Sequence, residues 1–155
     1  MAKAKNLVTS IKVDINAPAS VVWDVLTDFE RYSEWNSFCI SIKSNRNLNE
    51  MVYMQVRIPG TDQVIPVNEY LVAYEPNRLL SWEQRPTDDN KDAARRDQYI
   101  EELGPESSSY FTTDLFLGLN ADTIMETHGV WVKQGFDQIA RDVKKRAESV
   151  YAERQ

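Results

Sequence analysis

Polar and apolar residues alternate through 7-LVTSIKVDI-15, which sets Leu7, Thr9, Ile11, Val13 and Ile15 on one side. A period of two predicts a β-strand. The rhythm changes in 16-NAPASVVWDVLTD-28, where Pro18 suits a first helical turn and Val21, Val22, Val25 and Leu26 make a short apolar face. Asp28 is placed to cap a second short helix through 29-FERYSEW-35. From residue 38 the pattern is sheet-like again. Strands are expected at 38-FCISIKS-44, 51-MVYMQVRI-58, 64-VIPVNEYLVAY-74, 78-RLLSWEQR-85, 97-DQYIEEL-103 and 108-SSYFTTDLFL-117. The connectors 45-NRNLNE-50, 59-PGTDQ-63, 75-EPN-77, 86-PTDDNKD-92 and 104-GPES-107 carry turn chemistry. Short strands joined by short turns predict an antiparallel meander.

The chain closes on one long helical pattern, from about Asp122 to Arg154. At about 100° per residue, Met125, His128, Val132, Phe136, Ile139, Val143 and Val150 fall within roughly 40° of one direction. Lys133, Asp137, Arg141, Lys144 and Glu148 dominate the opposite side. The expected order is one strand, two small helices, six strands and a long helix, an α+β fold forming a single domain over residues 1–155. The apolar helix face needs a partner, and a curved seven-stranded antiparallel sheet is the one large surface on offer. Wrapping such a sheet around one helix tends to leave room between them, so a cavity is expected.

Composition narrows the partners. The 155 residues are 42% hydrophobic and 27% charged, as in an ordinary globular protein. Acidic residues outnumber basic ones 24 to 18, and a net charge of -6 opposes attraction to nucleic acid and anionic membranes. The local basic cluster 141-RDVKKR-146 reads as a solvated helix face. One cysteine, Cys39, leaves no internal disulfide, and one Cys with one His excludes the usual structural zinc sets. Neither a metal nor a cofactor is expected, and no nucleophile elbow, phosphate-cradling loop or HExxH motif is present. No apolar run approaches the roughly 20 residues that span a bilayer, and no signal peptide is visible, so a cytoplasmic location is expected.

Several segments together resemble the START-like helix-grip superfamily, also called SRPBCC, and especially its polyketide cyclase/dehydrase-like branch. The likeness is carried by 16-NAPASVVWDVLTDFERYSEWNSF-38, 75-EPNRLLSWE-83, 114-DLFLG-118 and 135-GFDQIARDVKKRAE-148. It implies an antiparallel sheet curled around a long C-terminal helix, with a deep hydrophobic pocket between them. Members bind lipids, sterols, polyketides, hormones or aromatic intermediates; some are aromatase/cyclases or dehydratases, and many are carriers. The chain departs from several relatives on the sixth strand, where 95-RRDQYIEEL-103 offers Asp97 in place of their histidine.

Candidate chemistry follows from these expectations. His128 lies on the apolar stripe of the last helix, so it reads either as a general acid/base in the pocket or as a packed core residue. The resemblance implies that Asp97 and Asp114 face inward, where a buried carboxylate could move a proton; they could equally pair with Arg95 or Arg96, or face solvent if the register slips. Tyr99 shares a strand face with Asp97, and Phe116 shares one with Asp114. Trp82 with Gln84, and Tyr53 with Gln55 and Arg57, suit a planar oxygenated ligand or plain packing. Trp35 and Asn36 are candidates for the pocket mouth, 59-PGTDQ-63 for a lid, and Met125 and Val132 for the helical wall. Cys39 reads as a small buried residue.

Three functional classes are left open. One is a binding module for a small hydrophobic molecule, aromatic or polyketide- or steroid-like. Another is a cofactor-free cyclase or dehydratase in which His128 moves a proton with Asp97, Asp114 or a tyrosine. The last is a protein-interaction module. A monomer or a homodimer is expected, because an exposed edge strand could pair with a second copy.

Overall fold

The computed structural model describes residues 5–155. Along these the elements are β1 (Leu7–Thr9), β2 (Val13–Ile15), α1 (Ala19–Thr27), a 3₁₀ helix (Phe29–Glu34), β3 (Cys39–Lys43), β4 (Met51–Arg57), β5 (Val64–Glu75), β6 (Leu79–Glu83), β7 (Ala94–Gly104), β8 (Ser107–Phe116) and α2 (Ala121–Arg154). Strands β3 to β8 pair antiparallel in chain order, and β1 and β2 return to pair with β8. Helix α2 packs on β8, β2, β1 and α1. The helix-grip architecture, a curved sheet around a long C-terminal helix, is therefore present.

The expected first strand is divided in two. Leu7 faces Leu115 and Val8 faces Asp114, whereas Val13 faces Tyr110, so one extra residue enters between the segments. The break has a cause. Ser10 bonds Thr112 in both directions, N to O at 2.9 Å and Oγ accepting Thr112 N at 3.0 Å, while the Ile11 N–H turns away to Asp137 Oδ1 at 2.8 Å. Side-chain parity switches there. Val8 and Ser10 are buried in the first segment and Ile15 in the second, which corrects the expectation that one odd-numbered face runs through the whole strand.

Pro18 occupies the N-cap of α1 in an extended conformation. Asp28 stands at the N-cap of the 3₁₀ helix without a side-chain cap bond, and pairs instead with Arg31 at 3.5 Å. On α2, Val132, Phe136, Ile139 and Val143 of the expected stripe are buried, joined by Gly129, Gly135, Ala140 and Ala147, whereas Met125 and Val150 are half-buried and His128 is exposed, which corrects its reading as a packed core residue. The small residues let the helix lie close. A Cβ on Gly135 would meet two Phe38 ring carbons at 2.3 Å. Acidic side chains on the flank of α2 fasten the loops, with Asp142 accepting Ser37 N–H at 3.1 Å and Glu148 accepting Asn16 N–H at 2.9 Å.

Candidate functional site

A cavity of about 270 Å³ lies between the sheet and α2. Strands β4 and β5 supply Met54, Val56, Ile65 and Val67 to its wall, and α2 supplies Ile124, Trp131, Val132 and Phe136. Antiparallel pairing then delivers a polar patch. Across the sheet Trp82 faces Arg96, and Arg96 faces Asp114; one row along, Ala94 faces Phe116. All five border the cavity, as do Glu69, Gln84, Asp92 and His128.

Arg96 organises this patch. It is only 6% exposed, and its guanidinium carbon sits 4.5 Å from the Phe136 ring centre and 5.6 Å from that of Trp82. Its Nε donates to Thr112 Oγ1 at 3.1 Å and its Nη2 to Gln98 Oε1 at 3.3 Å. Gln98 Oε1 also accepts from Tyr110 Oη at 2.8 Å, which leaves the buried Gln98 Nε2 without an acceptor among the described residues. Although Asp114 stands directly across the strand, Arg96 forms no carboxylate ion pair among the described residues; its side chain reaches along the sheet instead.

Burial governs the acids. It pushes the Asp114 carboxyl up to about 7 against the opposing pull of Arg96, with nearby Asp97 adding to the rise. Glu69 is held well above the usual carboxylate range, first by burial and then by the Asp114 charge. Burial likewise raises Tyr110 and lifts the Cys39 thiol to about 12, so Cys39 is an inert buried residue. His128 is exposed at the edge of the cavity, its ring centre 5.7 Å from that of Trp131.

Residues 7–148 match the family described as polyketide cyclase / dehydrase and lipid transport. The chain belongs to this family. A search of curated proteins finds no match. Among solved structures it is similar to the Zhui aromatase/cyclase of Streptomyces sp. R1128, at 18% identity and TM-score 0.67, with 92% of this chain and 93% of that one covered. A START superfamily protein from Mycobacterium smegmatis is similar at 17% identity and TM-score 0.67, covering 93% and 98%. A truncated norcoclaurine synthase from Thalictrum flavum is similar at 10% identity and TM-score 0.64, covering 90% and 91%. At such identities the likeness carries the fold.

Within this polyketide cyclase/dehydrase-family fold the expected site residues divide. Asp114, Trp82, Phe116, Val132 and His128 come together on the cavity. Asp97 does not, which corrects the inward placement implied by the resemblance. It shares the outer face of β7 with Arg95 and Tyr99, accepts from Ser81 Oγ, and pairs with Arg95 Nε at 3.1 Å. Tyr99 stacks on Phe111 at 4.7 Å on that outer face. Tyr53, 55% exposed, and Arg57 point away from the core because Val52, Met54 and Val56 take the inner positions of β4. Arg57, Pro59 and Gly60 border a separate groove beside Gln134 and Gln138 and are absent from the cavity lining, so the hairpin tip does not cover the cavity. Trp35 packs on Tyr32 at 5.1 Å, and the buried Asn36 accepts the Phe38 and Cys39 N–H groups at 3.0 and 2.8 Å. Neither forms the mouth. Met125 is half-buried and lies off the cavity lining.

Gln98 and Glu69 were not singled out from the sequence, and Arg96 was named there only as a partner for the acids, whereas Gln84 was named beside Trp82. For β4 a signal existed, since the apolar alternation of Val52, Met54 and Val56 already marks the inner face. For β7 both parities carry charged residues, and only the pairing of Arg96 with Asp114 and Ile100 with Tyr110 decides which faces in. Among the described residues no three His, Cys, Asp or Glu side chains converge as metal ligands, and no helix is long and apolar enough to cross a membrane.

Proposed function

We propose that the chain binds a compact hydrophobic molecule, aromatic or polyketide- or steroid-like, in the cavity between the sheet and α2. The observation that carries this reading is an apolar-walled space with a small polar patch at Arg96 and Asp114. Burial of apolar ligand surface supplies the affinity, and the polar groups select orientation. At about 270 Å³ the space is near the lower end of ligand pockets, roughly 300–1,000 Å³, which favours one or two fused rings over an extended chain. Methyl NMR with a panel of phenyl, naphthyl, anthraquinone and steroid compounds tests it. The methyl signals of Ile65, Val67, Ile124 and Val132 shift together when a panel member binds. A panel that moves none of them sinks the reading.

A second reading rests on Asp114. Its carboxyl, raised to about 7, has the proton affinity of a general acid or base at neutral pH, and the exposed His128 on the same cavity is its relay to solvent. Two fold relatives, an aromatase/cyclase and a norcoclaurine synthase, are named as enzymes, which supports a cofactor-free cyclase or dehydratase. If so, Asp114→Asn lowers kcat by about 10²–10⁴-fold on an aromatisable polyketide-like substrate while that substrate still binds. A turnover rate unchanged by Asp114→Asn rejects the proton-transfer role.

A further inference from the structure

Arg96, on the cavity wall, asks for a chemical partner. Arg96 is a buried permanent cation whose described bonds use Nε and Nη2, leaving Nη1 with no partner among the described residues. A buried guanidinium is stable only with charge compensation, and none comes from a paired carboxylate here. The acids nearby compensate weakly. Burial disfavours the charged form of Glu69 and raises the Asp114 carboxyl to about 7. Independently, Gln98 Nε2 is a buried donor without an acceptor, on a side chain 2% exposed and bonded to Arg96. Arg96 thus keeps a donor, Nη1, free of any described partner beside the cavity it borders.

We infer that Arg96 is an oxyanion anchor, and that the ligand is a planar aromatic molecule ending in a carboxylate or a phenolate- or enolate-type oxygen. This rests on the cavity reading above and adds the class of ligand. The aromatic body lies against Trp82 and Phe136, whose rings already flank the guanidinium, and the oxyanion completes the unfilled donors of Arg96. Geometry favours arginine over lysine at this place, because its guanidinium sits near both rings while two of its nitrogens bond Thr112 and Gln98 at once.

The test compares naphthoate with naphthamide, which match in size and differ in charge, by titration calorimetry on the full chain. Wild-type protein binds naphthoate at least about tenfold more tightly than naphthamide, the factor expected of one charge-assisted bond in a buried site. Arg96→Met removes that preference and leaves naphthamide affinity within about threefold. The wild-type comparison stands alone should Arg96→Met fail to fold. Equal affinities, or tighter binding of the amide, overturn the anchor and leave the cavity reading intact. Failure of both compounds while other panel members shift the cavity methyl signals also overturns the anchor. Silence across the entire panel overturns the cavity reading, and the anchor falls with it.

Discussion

At the residue scale, Asp114 sets a pH dependence that depends on where its strand neighbours put it. The carboxyl moves from its ordinary 3.8 to about 7 because burial strips water from the charged form faster than Arg96 restores its stability. Between those values the folded protein holds a proton that the unfolded chain releases. Stability therefore falls as pH rises through the window and is lowest above about 7. Asp114→Asn removes the penalty. Its stability advantage over wild type widens by about 3 kcal/mol from about pH 5 to about pH 8.5, read from urea melts at both values. An advantage that stays constant with pH would show that Asp114 ionises freely in the fold. The sequence marked Asp114 as a candidate through its place before 115-LFLG-118, but could not show that its cross-strand neighbour is an arginine whose side chain bonds elsewhere.

At the element scale, α2 shows how one amphipathic stripe does two jobs. Its C-terminal half, with Ile139, Val143 and Ala147, closes the core, while Val132 and Phe136 toward the N-terminus border the cavity. Two glycines on the stripe differ in consequence. A Cβ on Gly129 meets the Met125 sulfur at 3.2 Å, and a flexible methionine can yield. Gly129→Ala thus stabilises by about 0.5–1 kcal/mol through helix propensity. Gly135→Ala gains the same propensity but drives into Phe38, a ring hemmed by Phe136 at 5.6 Å, and overpacking costs about 1–3 kcal/mol. Denaturant midpoints of the two variants should move in opposite directions; movement in the same direction would mean that Phe38 has room to turn away. The helix itself was plain from its periodicity. The division of its stripe into core and cavity was not, because periodicity reports which side is apolar and says nothing of what that side meets.

At the scale of the whole molecule, the cavity lies between the sheet and the N-terminal half of α2, whose Ile124, His128, Val132 and Phe136 line it, while Ile139, Val143 and Ala147 further along are fully buried. Filling it should cost little. Ala94 borders the space opposite Phe116, so Ala94→Leu occupies void that holds no protein atoms and restores dispersion contacts. That variant keeps or raises its Tm and loses at least about tenfold in naphthoate affinity, measured by thermal melts and calorimetry side by side. A variant that binds as wild type does would place the ligand elsewhere. One that loses binding only by unfolding would show that the cavity is too shallow to accept the side chain.

The sequence by itself determined what local chemistry can determine. The order and approximate limits of the strands, the Pro18 helix start, the length and apolar stripe of α2, and the inert character of Cys39 all follow from periodicity, turn residues and composition. Tertiary structure decided which parity of each strand faces inward. Parity on β7 is a non-local quantity, fixed by the pairing of Arg96 with Asp114 and of Ile100 with Tyr110, and a shift of one residue exchanges Asp97 and Tyr99 for Arg96 and Gln98. The extra residue between β1 and β2 is likewise set from a distance, by the Asp137 carboxylate of α2 drawing the Ile11 N–H out of the ladder. The candidate anchor therefore became visible only once strands distant in the chain had met.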